Sequence, residues 1–293
     1  MKQAIRAYRL YILFTVSINL YAQDKRPLIF KQIDLWSRIK RRFFPIKRPS
    51  IPFFGANFAI DLEAFNSNSF FPNGWRFADK EIQNYVATLT KDPSIVVIET
   101  NGMDPTSLKS PYTNNKYIIL NSAIIQILKN KSHNNILLSW KEFKTINEYD
   151  KSSDLLFTKE TPSLHNLIHQ IIRGKFYNTL HPWEIDTIIL HEYAHLQHDD
   201  TAKIRKLNNK YKKSEITAEE YYRQRQKLEK EADTEVLKSN DIHILMGVES
   251  SMLKSHLNKK IHNIKDPHHP YPLLRAWQAQ DKIKEKLGPY GEE

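Results

Sequence analysis

The stretch TIILHEYAHLQHDD, residues 187–200, carries two histidines four positions apart with a glutamate next to the first. On a helix, residues i and i+4 share one face about one turn apart. His191 and His195 can therefore grip one metal ion, with Glu192 beside it as a base. That chemistry activates a water for hydrolysis near neutral pH. The pattern is short, so its meaning depends on a third ligand. A catalytic zinc takes three protein ligands and leaves a fourth position for water. The chain has no cysteine. The third ligand is then His, Asp or Glu, and disulfides, Cys–zinc sites and thiol catalysis are excluded.

Two positions compete for that role. In the longer pattern HExxHxxGxxH the glycine falls on His198 and the third histidine on Thr201, so the pattern fails. On a continuous helix His198 lies roughly 10 Å from His191 and is an ordinary polar residue or a partner of a ligand. Further on, Thr217 and Glu220 have the T-x-x-E form of a capping box ahead of a long helix. On that helix Glu229 and Asp233 are i and i+4. Glu229 can ligate zinc while Asp233 accepts a hydrogen bond from a ligating imidazole and fixes its tautomer. Alone, EKEADTE is a charged solvent face; beside HExxH it becomes a ligand helix.

The elements that must position these residues follow from periodicity. Helices are expected over 78–90, 163–173, 182–199 and 218–238, with a last one beginning near Pro272. SIVVIET, residues 94–100, is a strand by its β-branched content. KYIILNSAIIQIL, residues 116–128, starts as a strand and passes into a helix. Residues 129–160 are polar and poorly patterned. The expected organisation is one α+β catalytic domain over 75–293, preceded by an extension over 1–74. The extension opens with a basic leader and a 13-residue apolar run ending at Ala22. This is the outline of a signal peptide over 1–22, too short for a comfortable membrane span. Alternating Phe14, Val16, Ile18 and Leu20 also suit a half-buried strand, and the positive charge that follows resists export. Cytoplasmic and exported locations both stay open.

Composition bounds the rest. Only 7 glycines occur in 293 residues, and neither GxGxxG nor GxxxxGK[ST] is present. The net charge is +11, which suits an anionic partner or simply a lysine-rich solvated surface. Basic segments lie at 38–48 and 203–213, without a nucleic-acid module signature.

Four blocks in order resemble the gluzincins, zinc peptidases in which HExxH is followed by ExxxD on a second helix. The pattern is most similar to the group of CAAX prenyl proteases and HtpX- and Oma-type proteases. The blocks are KYIILNSAII (116–125), WEIDTIILHEYAH (183–195), EKEAD (229–233) and HPYPLLR (269–275). A chain of this size with HExxH also resembles the phage-exclusion peptidases of the Lit type, which cleave a host translation factor. The departures are Ala194 where glycine is usual, at most one apolar segment, and about 60 residues between the strand block and the metal helix, which suggest an inserted subdomain.

The resemblance implies a zincin-like fold: a small sheet with an edge strand packed on the HExxH helix, and a second ligand-bearing helix. It implies a zinc endopeptidase in which His191, His195 and Glu229 hold Zn2+ and Glu192 is the base. By the same resemblance His269 is a catalytic helper, and Arg275 a buried partner for carboxylates. The strand 116–121 would lie at the sheet edge, where Ile119 and Asn121 would pair with an extended peptide. The alternative for that strand is a fully buried central position. Expected partners are a protein or peptide substrate, with nucleic acid disfavoured and at most peripheral or single-segment membrane association. The competing function is a basic protein- or nucleic-acid-binding protein with a structural or degenerate zinc site. An intact Glu192 favours chemistry, because a structural zinc needs no base.

Overall fold

Two β-branched runs form the middle of a sheet. The computed structural model describes residues 51–53, 58–60, 75–101, 104–109, 115–130, 135–149 and 162–288. The expected signal segment 1–22 and the basic segment 38–48 lie outside the described residues. The chain divides into two compact units. One comprises Met1–Asn73 with Pro111–Thr113 and contains the antiparallel strands β1 (Ile51–Phe53) and β2 (Phe58–Ile60). The other comprises Gly74–Ser110 with Asn114–Glu293.

The second unit is α+β. Its strands are β3 (Trp75–Phe77), β4 (Ile95–Thr100), β5 (Thr106–Lys109) and β6 (Lys116–Asn121), in the order β3-β4-β6-β5. β4 and β6 run parallel, and the outer pairs are antiparallel. Helix α1 (Lys80–Thr90) joins β3 to β4, and α2 (Ser122–Asn130) follows β6 directly. Then come α3 (Trp140–Tyr149), α4 (Pro162–Ile172), a 3-10 turn at Phe176–Thr179, α5 (Pro182–Gln197), α6 (Asp200–Lys212), α7 (Ala218–Leu237), α8 (Ile242–Ile261) and α9 (Pro272–Leu287). Among the described residues no helix is long and apolar enough to cross a membrane.

The expected edge position of residues 116–121 is overturned. β6 is bonded on both sides, with Ile119 opposite Ile98 of β4 and opposite Thr106 of β5. Tyr117 to Asn121 are all buried, the near-continuous apolar run of an interior strand. Ile118 and Leu120 enter a core with Ile82, Val86, Ile124, Ile185 and Ile189. Ile119 lies on the other face, and Asn121 accepts the Ala123 N–H at 2.9 Å to start α2. Neither residue is open to a peptide, so their assignment to substrate binding does not hold. Within the described residues the edge beside α5 is β5.

The 60 residues between β6 and α5 are not a separate subdomain either. Leu138 and Phe143, with Leu167, Ile168 and Ile171 of α4, pack on Leu253 and Leu257 of α8 and Ala276 of α9. They complete the helical layer behind the site. α8 crosses α5 so closely that a Cβ on Gly247 would come within 2.4 Å of the Trp183 carbonyl oxygen.

Candidate metal centre

α5 has its start fixed by side chains. Pro182 stands in its first turn, His181 Nδ1 accepts the Trp183 N–H at 3.2 Å, and Glu184 accepts the His181 N–H at 2.6 Å. This reciprocal cap satisfies donors that a helix start leaves free. α7 begins on half of the expected box. Thr217 accepts the Glu220 N–H at 3.1 Å, but the Glu220 carboxylate turns to Arg223 and Gln224.

Fixed starts set the phase of both helices, so their one-turn pairs face each other. His191 Nε2 is 3.2 Å from His195 Nε2 and 3.2 Å from Glu229 Oε2, and His195 Nε2 is 3.5 Å from the same oxygen. A tetrahedral zinc with arms of about 2.0–2.1 Å has ligand–ligand edges of about 3.3 Å. The spacing of the three atoms is compatible with those edges, and they form the one group that could hold a metal ion among the described residues.

Each imidazole is held from behind. His191 Nδ1 is 3.1 Å from Asp233, whose other contact is the Arg275 guanidinium. His195 Nδ1 is 2.8 Å from Asp200, which Lys203 also bonds at 2.8 Å. A carboxylate at Nδ1 keeps the proton there and leaves Nε2 free to ligate. Asp200 escapes the sequence reading for a geometric reason. On a continuous helix five residues turn a side chain away from His195. The chain instead breaks at Asp199, which adopts the left-handed conformation with φ 53°, a region that Asp tolerates. The break swings Asp200 back onto His195.

The remaining predicted residues converge too. Glu192 is buried beside the ligands, within hydrogen-bonding reach of Ser107 on β5. His269 Nε2 is 3.4 Å from Glu229 Oε2, while its Nδ1 bonds Asp266 at 2.7 Å. Asp266 is fixed in turn by Lys259 at 2.9 Å. His198 does not join them; its nearest acid is Glu235, at 3.8 Å. A cavity of about 170 Å³ opens over His191, Glu192, Asp233, His269 and Arg275, with Tyr177, Ile188 and Met252 on its walls. The Tyr177 hydroxyl bonds Asp104 and feels the Glu192 charge. Asp104, Asp266 and Tyr177 carry no motif of their own, so nothing in their spacing marks them in advance.

The electrostatics are those of a cation pocket. Burial pulls His195 down, but Asp200, Glu229 and Glu192 outweigh it and hold its pKa at about 10. Burial pushes Glu229 up, yet His191 and His195 keep it well below the usual carboxylate range. Burial also opposes ionisation of Asp233, and Arg275 and His191 overcome it, so its pKa is lowered. Glu192 goes the other way: burial raises it despite the two histidines. A carboxyl moved up in this way is suited to taking and returning a proton.

Comparison of the chain with protein-family models, with curated proteins and with solved structures finds no match.

Proposed function

We propose that the chain is a zinc-dependent endopeptidase of the gluzincin type. The observation that supports it most is the convergence of His191 Nε2, His195 Nε2 and Glu229 Oε2 at 3.2–3.5 Å beside a buried glutamate that is not a ligand. When bound, zinc supplies an activated water near neutral pH and a Lewis acid for the scissile carbonyl. Asp233 and Asp200 keep the ligating rings in one tautomer. Glu192 takes the water's proton and delivers it to the leaving amine. His269, held by Asp266, donates from Nε2 to the oxygen on which negative charge develops.

An extended substrate pairs with β5 rather than with β6. The Lys109 N–H points away from β6 to Thr201 Oγ1, at 3.2 Å. Ser107, two residues earlier, turns its backbone to the same side, away from β6.

The decisive experiment compares zinc-loaded wild type with Glu192→Gln on a degenerate peptide library. Equal zinc content with cleavage lower by at least ~10²-fold is expected. Near-normal cleavage by the variant would overturn the reading.

One observation favours a second reading. His269 Nε2, 3.4 Å from Glu229 Oε2, is near enough to count as a fourth ligand, which would close the site and make it structural. The His269 side chain is 40% exposed, against 14%, 11% and 6% for the other three, which places it at the mouth. His269→Ala separates the readings: a helper's loss leaves zinc bound and slows cleavage, and a fourth ligand's loss releases zinc.

A further inference from the structure

Two arginines approach the candidate metal centre without an acid to meet them. α6 and α7 run antiparallel, and Tyr221 of α7 donates to Asn208 of α6 at 2.8 Å. One turn from that bond, and one turn nearer the metal centre, stand Arg205 on α6 and Arg225 on α7. Thr201, Arg205 and Asn208 are i, i+4 and i+7 and share a face of α6. Thr201 on that face meets the Lys109 N–H of β5. Tyr222, Arg225 and Glu229 share a face of α7 in the same way, so Arg225 stands one turn before a ligand.

Both side chains are half-buried, and the Nε of each is shielded from solvent with no hydrogen-bond partner. Neither guanidinium has an ion pair among the described residues. The acids around them are taken: Glu220 by Arg223, Glu231 by Lys203 and Lys227, Asp266 by Lys259 and His269. Buried donors are almost always bonded, so two orphaned guanidinium donors at one level of a hairpin point to a ligand that satisfies them. The charge of Arg225 also reaches the mouth of the site. His268, next to His269, packs edge-on against Tyr222 with ring centroids 5.1 Å apart, and its pKa is lowered by burial and then by Arg225.

We propose that Arg205 and Arg225 form a carboxylate subsite that seats an acidic group of the peptide substrate. The guanidinium fork matches a carboxylate with two parallel hydrogen bonds. One helix turn of ~5.4 Å separates Arg225 from Glu229, and an extended chain advances ~3.3 Å per residue, so the acid lies about two residues from the scissile bond. The carboxylate is an Asp or Glu side chain, or the C-terminus of the peptide. Main-chain pairing at β5 accepts any extended segment, so selectivity must come from side-chain subsites of this kind. The proposal rests on the peptidase reading, to which it adds a substrate class.

The test has two arms. In the first, which needs no turnover, immobilised zinc-loaded Glu192→Gln full chain selects from two degenerate decapeptide libraries, one amidated and one with free C-termini. The retained peptides are read by mass spectrometry. Asp and Glu enriched several-fold in the amidated library assign the subsite to a side chain; retention of the free-acid library alone assigns it to the terminus. A selected peptide should bind about tenfold tighter by anisotropy than its uncharged counterpart. Arg205→Gln and Arg225→Gln should each erase that preference while zinc content holds. Arg225→Lys keeps the charge without the fork and should weaken the preference, which carries the test where a Gln variant fails to fold. In the second arm, wild type cleaves the amidated library, and acid should be enriched at one fixed offset from the cleaved bond. Acid selection in the first arm with no cleavage in the second supports the subsite, and only the peptidase reading fails. Cleavage with no carboxylate preference overturns the subsite and leaves the peptidase intact. A preference unchanged in all three arginine variants, or no peptide retained, overturns the proposal. So does binding of a labelled 20-nucleotide oligo-dT through the same arginines while no peptide is retained, because the face is then a nucleic-acid surface.

Discussion

Two buried polar clusters sit on α5, and only one of them is incomplete. Near the helix start, Glu184 and Lys254 pair at 2.8 Å with both side chains fully buried. Lys254 Nζ also donates to the carbonyls of Ile136 and Thr179, each at 2.8 Å. The Ser250 hydroxyl and the His181 N–H fill the Glu184 carboxylate. An ammonium has three donors, and all three are used; the charges cancel. Two turns on, the Nε2 atoms of His191, His195 and His269 all lie within 3.5 Å of one carboxylate oxygen. Each ring presents its other nitrogen to an aspartate. Carboxylates stand on both sides of the His191 and His195 rings, so positive charge is drawn to them, and without a metal protons supply it, which raises the pKa of both rings. The contrast teaches that buried charge by itself marks nothing. Ring nitrogens and a carboxylate oxygen converging on one point, with protons that a metal ion could replace, are what mark a candidate cation site.

Breaking the saturated cluster should have the largest effect. Lys254→Met leaves Glu184 buried without its partner, and a loss of about 3–5 kcal/mol of stability is expected by urea denaturation. A change below about 1 kcal/mol would mean that Glu184 takes up a proton and that the pair is not the fastener described. The metal cluster should respond in a different currency. Asp200→Ala removes no ligand, so apo stability should change little while zinc affinity, measured by chelator competition, falls roughly 10- to 100-fold. Asp233→Ala should do the same. Unchanged zinc affinity in both variants would show that the aspartates hold the helices and not the rings.

A single acid outside both clusters gives the smallest effect. Glu249 of α8 is pushed up to about 7 from an ordinary 4.5 by burial, against a hydrogen bond from the Trp140 backbone. A raised carboxyl opposes folding once the unfolded chain ionises. Below pH 4.5 wild type and Glu249→Gln should unfold alike. Between 4.5 and 7 wild type should lose up to about 1–3 kcal/mol relative to the variant, and above 7 the gap should stay constant. Parallel stability curves across that range would show that Glu249 is solvated.

What was legible in the sequence follows from period and spacing. His191, His195, Glu229 and Asp233 are one-turn pairs, and a helix carries such pairs wherever it goes. The passage of KYIILN into α2 was legible for the same local reason. The position of β6 within the sheet was not, because an apolar run suits an interior strand and an edge strand alike. α8 escaped notice because Leu245, Val248, Ser250, Leu253 and Lys254 are buried on different sides of it, which erases the helical period. Lys254 itself looks like a surface residue until three carbonyl and carboxylate oxygens are found around it. Asp200 required knowing that the chain turns left-handed at Asp199, and no residue pattern announces that turn.

The order in which the site is assembled follows from where its parts lie along the chain. His191 and Glu229 are 38 residues apart, and His195 and Asp200 only five. A ribosome that has released Asp233 has already made every ligand and both aspartates behind them. His269 and Arg275 emerge only later, with the start of the last helix. A nascent chain can thus bring the three candidate ligands, both aspartates and Glu192 together before His269 and Arg275 are made, so that the mouth of the cavity is the last part to be built.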